Sequence, residues 1–239
     1  MPAAQRIILL GGGFSEDPDG LLDDFVLTAV ERPRPKVCFV PTASGDSAGY
    51  IERFYAAFTR DDCEPTHLPL FRREHQDLRS LVLQQDVIYV GGGSTANLLA
   101  VWRLHGLDEI LCEAYEAGVL LCGISAGAAC WTEACLTDSF GRLAPLSDGL
   151  GFISGSLCPH YDSEAGRRPA YRSAVSAGDL PDGWAVDDGA AALFVDGEPS
   201  HVVTRRPGAT VHRVSRGDNE ALEVSLPAHL LTLSPTTPR

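Results

Sequence analysis

The chain has 239 residues, enough for one sizeable α/β domain, and its 44% of apolar residues is ordinary for a globular protein with no run that could span a membrane. A formal net charge of −13 argues against nucleic acid or an anionic membrane as a partner. The seven cysteines form no C-x-x-C pair and no cluster with zinc spacing, so we expect buried, reduced thiols and no metal or other cofactor.

The chain opens directly on a strand-like segment. Met1–Arg6 lacks the apolar region and cleavage site of a signal peptide, and the apolar run at 7–10 follows at once. We therefore expect a cytoplasmic protein.

Apolar runs alternate with helix-like stretches through the first two-thirds of the chain. Helices are predicted over 21–31, 50–59, 95–105 and 107–117, and strands over 6–10, 36–40, 66–68, 86–90 and the apolar run that ends at Ser125. Continuous apolar strands separated by helices indicate a parallel sheet covered on both faces. Glycine-rich segments follow several of these strands, at 11–13, 91–93 and 123–127. The carboxyl ends of parallel strands share one edge of the sheet, so these loops should form a single site.

The pattern changes after about residue 180. Short apolar stretches at 190–195, 201–204, 210–214 and 221–226 are separated by turn signals, which predicts hairpins that extend or edge the sheet. We expect a single α/β domain over residues 1–239, with a C-terminal hairpin extension over about 180–232.

The segment Gly123-Ile124-Ser125-Ala126-Gly127-Ala128 matches the G-x-S-x-G nucleophile elbow. In that motif a sharp strand-to-helix turn exposes the serine, and glycines are needed because a β-carbon beside the nucleophile would clash. A helix beginning at this point would direct its free N–H groups and positive end at Ser125. The alternative is an ordinary helix N-cap serine. Cys122 precedes the elbow within the strand, where a thiol would be buried.

A serine hydroxyl needs a base, which is usually a histidine oriented by a carboxylate. Among the seven histidines, His160 follows an apolar strand and Pro159 and precedes a polar loop, so it is the candidate base. Asp188 follows the short strand 184–186 and is a candidate acid, with Asp138 as its rival and Glu133 as a weaker one. Each of these carboxylates could instead be solvated in a loop.

An oxyanion hole needs backbone N–H donors next to the nucleophile. Ala126 is the expected first donor, and Gly92 or Gly93 is the expected second, since a bare backbone can approach closely. Alternatively, the glycines only open a helix that Ser94 or Thr95 caps.

With these residues in hand, the chain resembles the dipeptidase E and cyanophycinase family of serine peptidases. The matching segments are Gly91-Gly92-Gly93-Ser94-Thr95-Ala96-Asn97-Leu98-Leu99, Trp102-Arg103 with Gly106-Leu107, the elbow, and Pro159-His160-Tyr161. The resemblance runs from the first strand to about residue 195. It implies a flavodoxin-like, three-layer α/β sandwich similar to class I glutamine amidotransferases, with serine where those enzymes have cysteine.

The resemblance implies that Ser125 is the nucleophile and His160 the base. In cyanophycinase-like members a strand-end segment that looks like Val186-Asp187-Asp188-Gly189 holds the acid, usually a glutamate, which corresponds to Asp188 here. Dipeptidase E members have been assigned an aspartate soon after the elbow, which corresponds to Asp138. Thr95 and Asn97 in the glycine-rich run are expected to bind substrate.

The resemblance also implies a small peptide substrate, either one with an N-terminal aspartate or a β-linked aspartyl-arginine. The segment after His160 looks closer to the dipeptidase E pattern, so we expect an exopeptidase that prefers an acidic residue or a terminal carboxylate. The matching positive charge would come from Arg167, Arg168 and Arg172. These arginines are expected on a helix, which can hold Pro169 in its first turn. Alternatively, these arginines are solvated or paired with acids such as Glu164.

Several alternatives stay open at this point. These are a carboxypeptidase, cleavage of β-aspartyl bonds, another acyl-transfer enzyme on the same fold, and a catalytically silent homologue. The sequence also leaves open whether the protein forms a homodimer.

Overall fold

The computed structural model describes residues 3–15, 17–59 and 62–233, so both ends of the expected domain, 1–2 and 234–239, lie outside the described residues. The strands are β1 Arg6–Leu10, β2 Lys36–Val40, β3 Glu64–His67, β4 Val87–Val90, β5 Leu120–Ile124, β6 Thr132–Thr137, β7 Ala144–Leu146, β8 Ile153–Cys158, β9 Gly183–Val186, β10 Ala190–Val195, β11 Glu198–Thr204, β12 Val211–Arg216, β13 Ala221–Ser225 and β14 His229–Leu230. The helices are α1 Leu21–Thr28, α2 Ala48–Phe58, α3 Leu78–Leu83, α4 Thr95–His105, α5 Leu107–Glu116, α6 Ala126–Ala129 and α7 Arg167–Ala177, with a 3-10 turn at Thr42–Ser44.

The larger sheet has eight strands in the order β14-β11-β10-β1-β5-β4-β2-β3. The neighbours β1, β5, β4, β2 and β3 are parallel, and β10 joins β1 antiparallel. Side chains of each strand point alternately to the two faces. Ile8 and Phe39 pack with α1 and α2, whereas Ile7 and Val40 join a core with α3, α4 and α5. This arrangement confirms the predicted three-layer α/β sandwich with a mainly parallel sheet.

A second sheet has six strands in the order β13-β12-β9-β8-β6-β7. Its central strands β6, β8 and β9 are parallel, and β7, β12 and β13 are antiparallel to their neighbours. Both C-terminal hairpins are present, but only β10–β11 extends the larger sheet, while β12–β13 belongs to the second one. The sequence did not predict this division, because local apolar patterns indicate where strands occur but not which sheet each strand belongs to.

Helix α1 ends at Thr28, earlier than the predicted residue 31, and helices α3 and α6 differ most from the sequence expectation. Helix α3 was not predicted, since it has only six residues; Asp77 caps it by accepting a hydrogen bond of 2.9 Å from the Ser80 N–H. Helix α6 is a single turn, because the chain enters β6 three residues after Ala129. The helix dipole expected at Ser125 therefore comes from a single turn and not from a full helix.

Of the helices in the described part of the chain, none combines the length and the apolar sequence that a membrane span requires. The seven cysteines are free thiols, as expected, and all except the half-buried Cys112 are buried.

Candidate active site

Ser125 sits in the strained turn that the elbow motif predicts. Its backbone angles are φ 53° and ψ −113°, a combination that L residues rarely adopt. A Cβ atom at Gly123 would lie 2.1 Å from the backbone oxygen of Gly127, and one at Gly127 would lie 2.3 Å from that of Val90. Both glycines are therefore sterically required, and the turn holds the serine side chain out at the end of β5.

The Ser125 hydroxyl faces His160 and does not cap helix α6. Its Oγ makes no capping hydrogen bond to the helix, and it lies 2.8 Å from Nε2 of His160. This geometry favours the nucleophile interpretation of the sequence over that of a simple N-cap serine.

His160 follows β8 and Pro159 with φ 54°, another left-handed conformation that turns the imidazole toward β5. Its Nδ1 lies 2.7 Å from Oδ1 of Asp188, so the ring bridges the serine and the aspartate. An ionised Asp188 accepts a hydrogen bond from Nδ1–H, which leaves Nε2 free to accept one from the Ser125 hydroxyl.

Asp188 is ionised in this environment. Partial burial raises the pKa of its carboxyl, but hydrogen bonds from His160 and Ser163 and the charges of His160 and Arg206 lower it more. The pKa of Asp188 therefore lies below its ordinary value.

The two other acids considered from the sequence have different partners. Asp138 is mostly exposed, and its Oδ2 lies 3.6 Å from Nη2 of Arg167. Glu133 accepts a hydrogen bond of 2.8 Å from the Gly155 N–H. Of the three carboxylates, Asp188 is the one that the structure hydrogen-bonds to His160.

A close backbone contact brings the two sheets together at this site. A Cβ atom at Gly11, directly after β1, would lie 2.1 Å from the backbone oxygen of Asp187. The Gly11 oxygen accepts a hydrogen bond of 2.9 Å from Gly189 N–H, and the Leu10 oxygen one of 3.4 Å from Ser125 N–H. The end of β1 thus contacts both the nucleophile's turn and the segment that carries Asp188.

The glycine loop after β4 packs directly against the elbow. A Cβ atom at Gly92 would lie 3.4 Å from Cβ of Ser125. Gly93 has φ 139°, and a Cβ there would lie 2.2 Å from the Ala43 oxygen. Ser94 caps α4 by accepting a hydrogen bond of 3.3 Å from Asn97 N–H. The loop therefore starts a helix and also borders the nucleophile.

The three candidate oxyanion donors are not equivalent. The Gly92 N–H already donates a hydrogen bond of 3.1 Å to the hydroxyl of Tyr50. In the ranges that the structure describes, the N–H groups of Gly93 and Ala126 donate no hydrogen bond. Of the three candidate donors, Gly93 and Ala126 therefore have an N–H that no described contact engages, whereas Gly92 would first have to release Tyr50.

The two residues that the resemblance placed at the substrate differ in exposure. Thr95 is only 2% exposed, and its Oγ1 accepts a hydrogen bond of 3.5 Å from the Thr137 hydroxyl. Asn97 is exposed on the first turn of α4. The side chain of Thr95 is therefore packed inside the protein, whereas that of Asn97 reaches the surface.

The three arginines of the predicted carboxylate site are paired with acids of the chain. Arg167 is buried with its Nε 2.6 Å from Oε2 of Glu164, the alternative that the sequence left open. Arg168 lies 2.5 Å from Glu223, and Arg172 lies 3.0 Å from Glu220. Helix α7 does begin at Arg167 with Pro169 in its first turn, but Arg168 and Arg172 pair with acids on and just before strand β13. These ion pairs correct the expectation that the arginines are open to a substrate carboxylate.

Sequence reasoning missed Tyr50, Asp162 and Arg206. Tyr50 lies 42 positions from Gly92, so no local pattern could join them. Asp162 and Arg206 both hydrogen-bond to the backbone of Asp188. The position of Asp162, two residues after His160, was the available signal for that residue. Arg206 lies 18 positions from Asp188, so no local pattern could join those two.

Cys122 is not a nucleophile in this structure. It is fully buried within β5, and burial together with the charge of Asp23 raises the pKa of its thiol well above the ordinary value. Among the described residues, no group of three or more His, Cys, Asp or Glu side chains could hold a metal ion.

Comparisons with known proteins identify the family of this chain. A model of peptidase family S51 matches residues 7–203. The uncharacterized peptidase YgaJ of Bacillus subtilis is 51% identical over 228 residues, which cover 95% of this chain and 99% of the relative. An uncharacterized peptidase of Listeria monocytogenes is 29% identical over 135 residues, or 53% of this chain and 66% of that protein.

Two solved structures share the fold. A peptidase from an acI-B1 Actinobacterium superposes with a TM-score of 0.70 at 21% identity, covering 93% of this chain and 97% of that one. A putative peptidase E protein from Listeria monocytogenes superposes with a TM-score of 0.62 at 21% identity, covering 85% and 99%.

Proposed function

The chain belongs to peptidase family S51, and we propose that it hydrolyses peptides by a serine acyl-enzyme mechanism. In this proposal Ser125 is the nucleophile, His160 the general base and Asp188 the acid that orients His160. The observation that carries the proposal is the continuous chain of hydrogen bonds, 2.8 Å from Ser125 to His160 and 2.7 Å from His160 to Asp188. A serine on a strained elbow, a base and an orienting carboxylate are the parts that acyl transfer needs.

The first half of the reaction forms the acyl-enzyme. The Ser125 oxygen bonds to the carbonyl carbon of the scissile peptide while its proton passes to Nε2 of His160. The charge that develops on the carbonyl oxygen is stabilised by the N–H groups of Gly93 and Ala126. As the tetrahedral intermediate collapses, the C–N bond breaks and His160 gives its proton to the leaving amine.

The second half releases the acid product. Water replaces the amine, His160 takes its proton, and the resulting hydroxide attacks the acyl carbon. Collapse of this second tetrahedral intermediate breaks the ester bond, and the proton on His160 returns to Oγ of Ser125. Asp188 stays ionised throughout and stabilises the imidazolium that forms in each half.

For the substrate, we propose small peptides, cleaved at a terminus and preferentially next to an acidic residue. The resemblance of the glycine-rich run and the elbow to dipeptidase E supports this proposal, as does the fold shared with the putative peptidase E protein from Listeria monocytogenes. Arg167, Arg168 and Arg172 are left out of it, because each is paired within the chain.

A panel of short peptides tests the proposed specificity. We expect cleavage of Asp-Leu to exceed that of Asn-Leu, and N-acetylation of Asp-Leu to abolish cleavage if the free amino terminus is recognised. The Ser125→Ala protein is the control, since any cleavage it retains comes from a contaminant. Cleavage of N-acetylated but not of C-terminally amidated peptides would identify a carboxypeptidase instead. Cleavage of neither acidic nor neutral peptides would contradict the proposed substrate class.

A further inference from the structure

A single ion pair holds both peptide groups of Asp188. Oδ1 of Asp162 accepts a hydrogen bond of 2.9 Å from the Asp188 N–H, and Nε of Arg206 donates one of 2.7 Å to the Asp188 backbone oxygen. The second oxygen of Asp162 pairs with Nη2 of Arg206. The two side chains therefore form a closed clamp around the main chain of the triad aspartate.

The clamp also connects the loops that carry the base and the acid. Asp162 lies two residues after His160, beyond the end of β8, and Arg206 lies two residues after the end of β11. The hydroxyl of Thr204 accepts a hydrogen bond of 3.2 Å from the Arg206 N–H, and the Gly189 oxygen accepts one of 2.8 Å from the N–H of the adjacent Arg205. The backbone of Arg206 is thereby tied to the residue that follows Asp188.

The position of an aspartate carboxylate depends on the backbone more closely than that of the longer glutamate side chain. The carboxylate of Asp188 is separated from the main chain by one methylene, so its distance from His160 follows the placement of the Asp188 backbone almost directly. Next to it, Gly189 has φ 76°, a conformation that gives the chain a sharp turn at this point. A backbone shift there would lengthen the 2.7 Å contact with His160.

We propose that Asp162 and Arg206 are positioning residues, which hold Asp188 in hydrogen-bonding reach of His160 by clamping its two peptide groups. The inference rests on the proposed serine mechanism. It assigns no chemistry to Asp162 or Arg206, since both act through Asp188.

The test compares Arg206→Met with Arg205→Met. Arg205 is the adjacent arginine, and it pairs with Asp17 at 3.2 Å and with Asp19 at 2.6 Å and not with Asp188. Both variants lose one positive charge beside the site, so they are matched in charge. We expect Arg206→Met to lower kcat about 10- to 100-fold with little change in KM, and Arg205→Met to stay within about twofold of the wild type.

Two further measurements separate positioning from folding and from charge. In the Asp188→Asn background, Arg206→Met should cause no further loss of kcat, because the group that it positions is already missing. Arg206→Lys should not restore the wild-type rate, because one ammonium cannot replace two separately directed guanidinium donors. If Arg206→Met does not fold, Asp162→Ala removes the same clamp from its other side.

Labelling of Ser125 by diisopropyl fluorophosphate distinguishes this inference from the proposed function. If the wild type is not labelled, the serine mechanism and the inference both fail. If the wild type is labelled and the Arg206→Met and Asp162→Ala proteins react at the same rate, the mechanism stands and the positioning role is wrong. Full recovery in Arg206→Lys, or independent losses in the Asp188→Asn background, would also overturn it.

Discussion

The N–H of Gly189 donates a hydrogen bond of 2.9 Å to the backbone oxygen of Gly11, and this contact joins the segment carrying Asp188 to the first strand of the parallel sheet. The proposed nucleophile follows β5 in one sheet, and the proposed base and acid follow β8 and β9 in the other. Close approach at Gly11 is thus one of the contacts that assemble the candidate triad from two sheets.

Gly11→Ala tests that relationship. The new Cβ would lie 2.1 Å from the Asp187 oxygen, so the backbone of 187–189 must move away from β1. We expect at least a tenfold loss of kcat and a destabilisation of about 1–3 kcal/mol.

Gly49→Ala is the matched control for Gly11→Ala. Gly49 lies in α2 with nothing near its missing side chain, so alanine there should be neutral or stabilise by about 0.5–1 kcal/mol. Turnover and thermal denaturation of both proteins check these outcomes. Unchanged turnover in Gly11→Ala would mean that the approach at Gly11 does not place Asp188.

Asp188→Asn should lower kcat far more than Asp138→Asn. An amide at 188 cannot stabilise the imidazolium of His160 as a carboxylate does, so we expect a loss of about 10²–10⁴-fold. Asp138 is exposed and pairs with Arg167, so its substitution should stay within about threefold of the wild type. Steady-state kinetics on one peptide measures both. A larger loss at Asp138 would reverse the assignment of the acid.

The ionisation of Asp188 should appear in the pH dependence of stability. Because the folded state lowers the pKa of this carboxyl, its contribution to stability is present above the ordinary aspartate pKa of about 3.9 and disappears as the pH falls through the lower folded value. The melting temperature of the wild type should therefore exceed that of Asp188→Asn near pH 6. The difference should shrink below about pH 4. A difference that grows toward acid would have the wrong sign for a carboxylate whose pKa is lowered.

Thiol reagents should not inactivate the enzyme. Burial raises the pKa of Cys38 and Cys135 to about 12 and raises that of Cys122 well above its ordinary value. Iodoacetamide under native conditions should therefore modify Cys112 at most, with activity retained. Peptide mapping of the alkylated protein identifies the site. Inactivation that follows modification of Cys122 would contradict the serine mechanism.

Much of the fold followed from local patterns in the sequence. Strands β1 and β2 have the predicted bounds, because apolar runs of full strand length are strong local signals. Helix α4 also has the predicted bounds, since a serine caps its start and a glycine follows its last residue. The division into two sheets depends on which strands pair across long stretches of chain. No apolar periodicity encodes that pairing.

The sequence predicted those site residues that lie in short motifs. Ser125 and His160 lie in short segments with recognisable neighbours, and the structure brings them together with Asp188. The positions of Tyr50 and Arg206 depend on tertiary contacts with residues far away in sequence, so they could be found only in the structure. The pairing of Arg168 with Glu223 and of Arg172 with Glu220 was not predicted, since those acids lie far away in sequence, at strand β13. The pairing of Arg167 with Glu164 was the alternative that the sequence left open.

The serine mechanism is tested most directly by the mass of the protein after treatment with diisopropyl fluorophosphate. We expect one covalent adduct, mapped to Ser125, that forms as activity is lost and is absent from Ser125→Ala and greatly slowed in His160→Ala. An enzyme that cleaves peptides but gains no adduct at Ser125, or a Ser125→Ala protein that retains turnover, would contradict it.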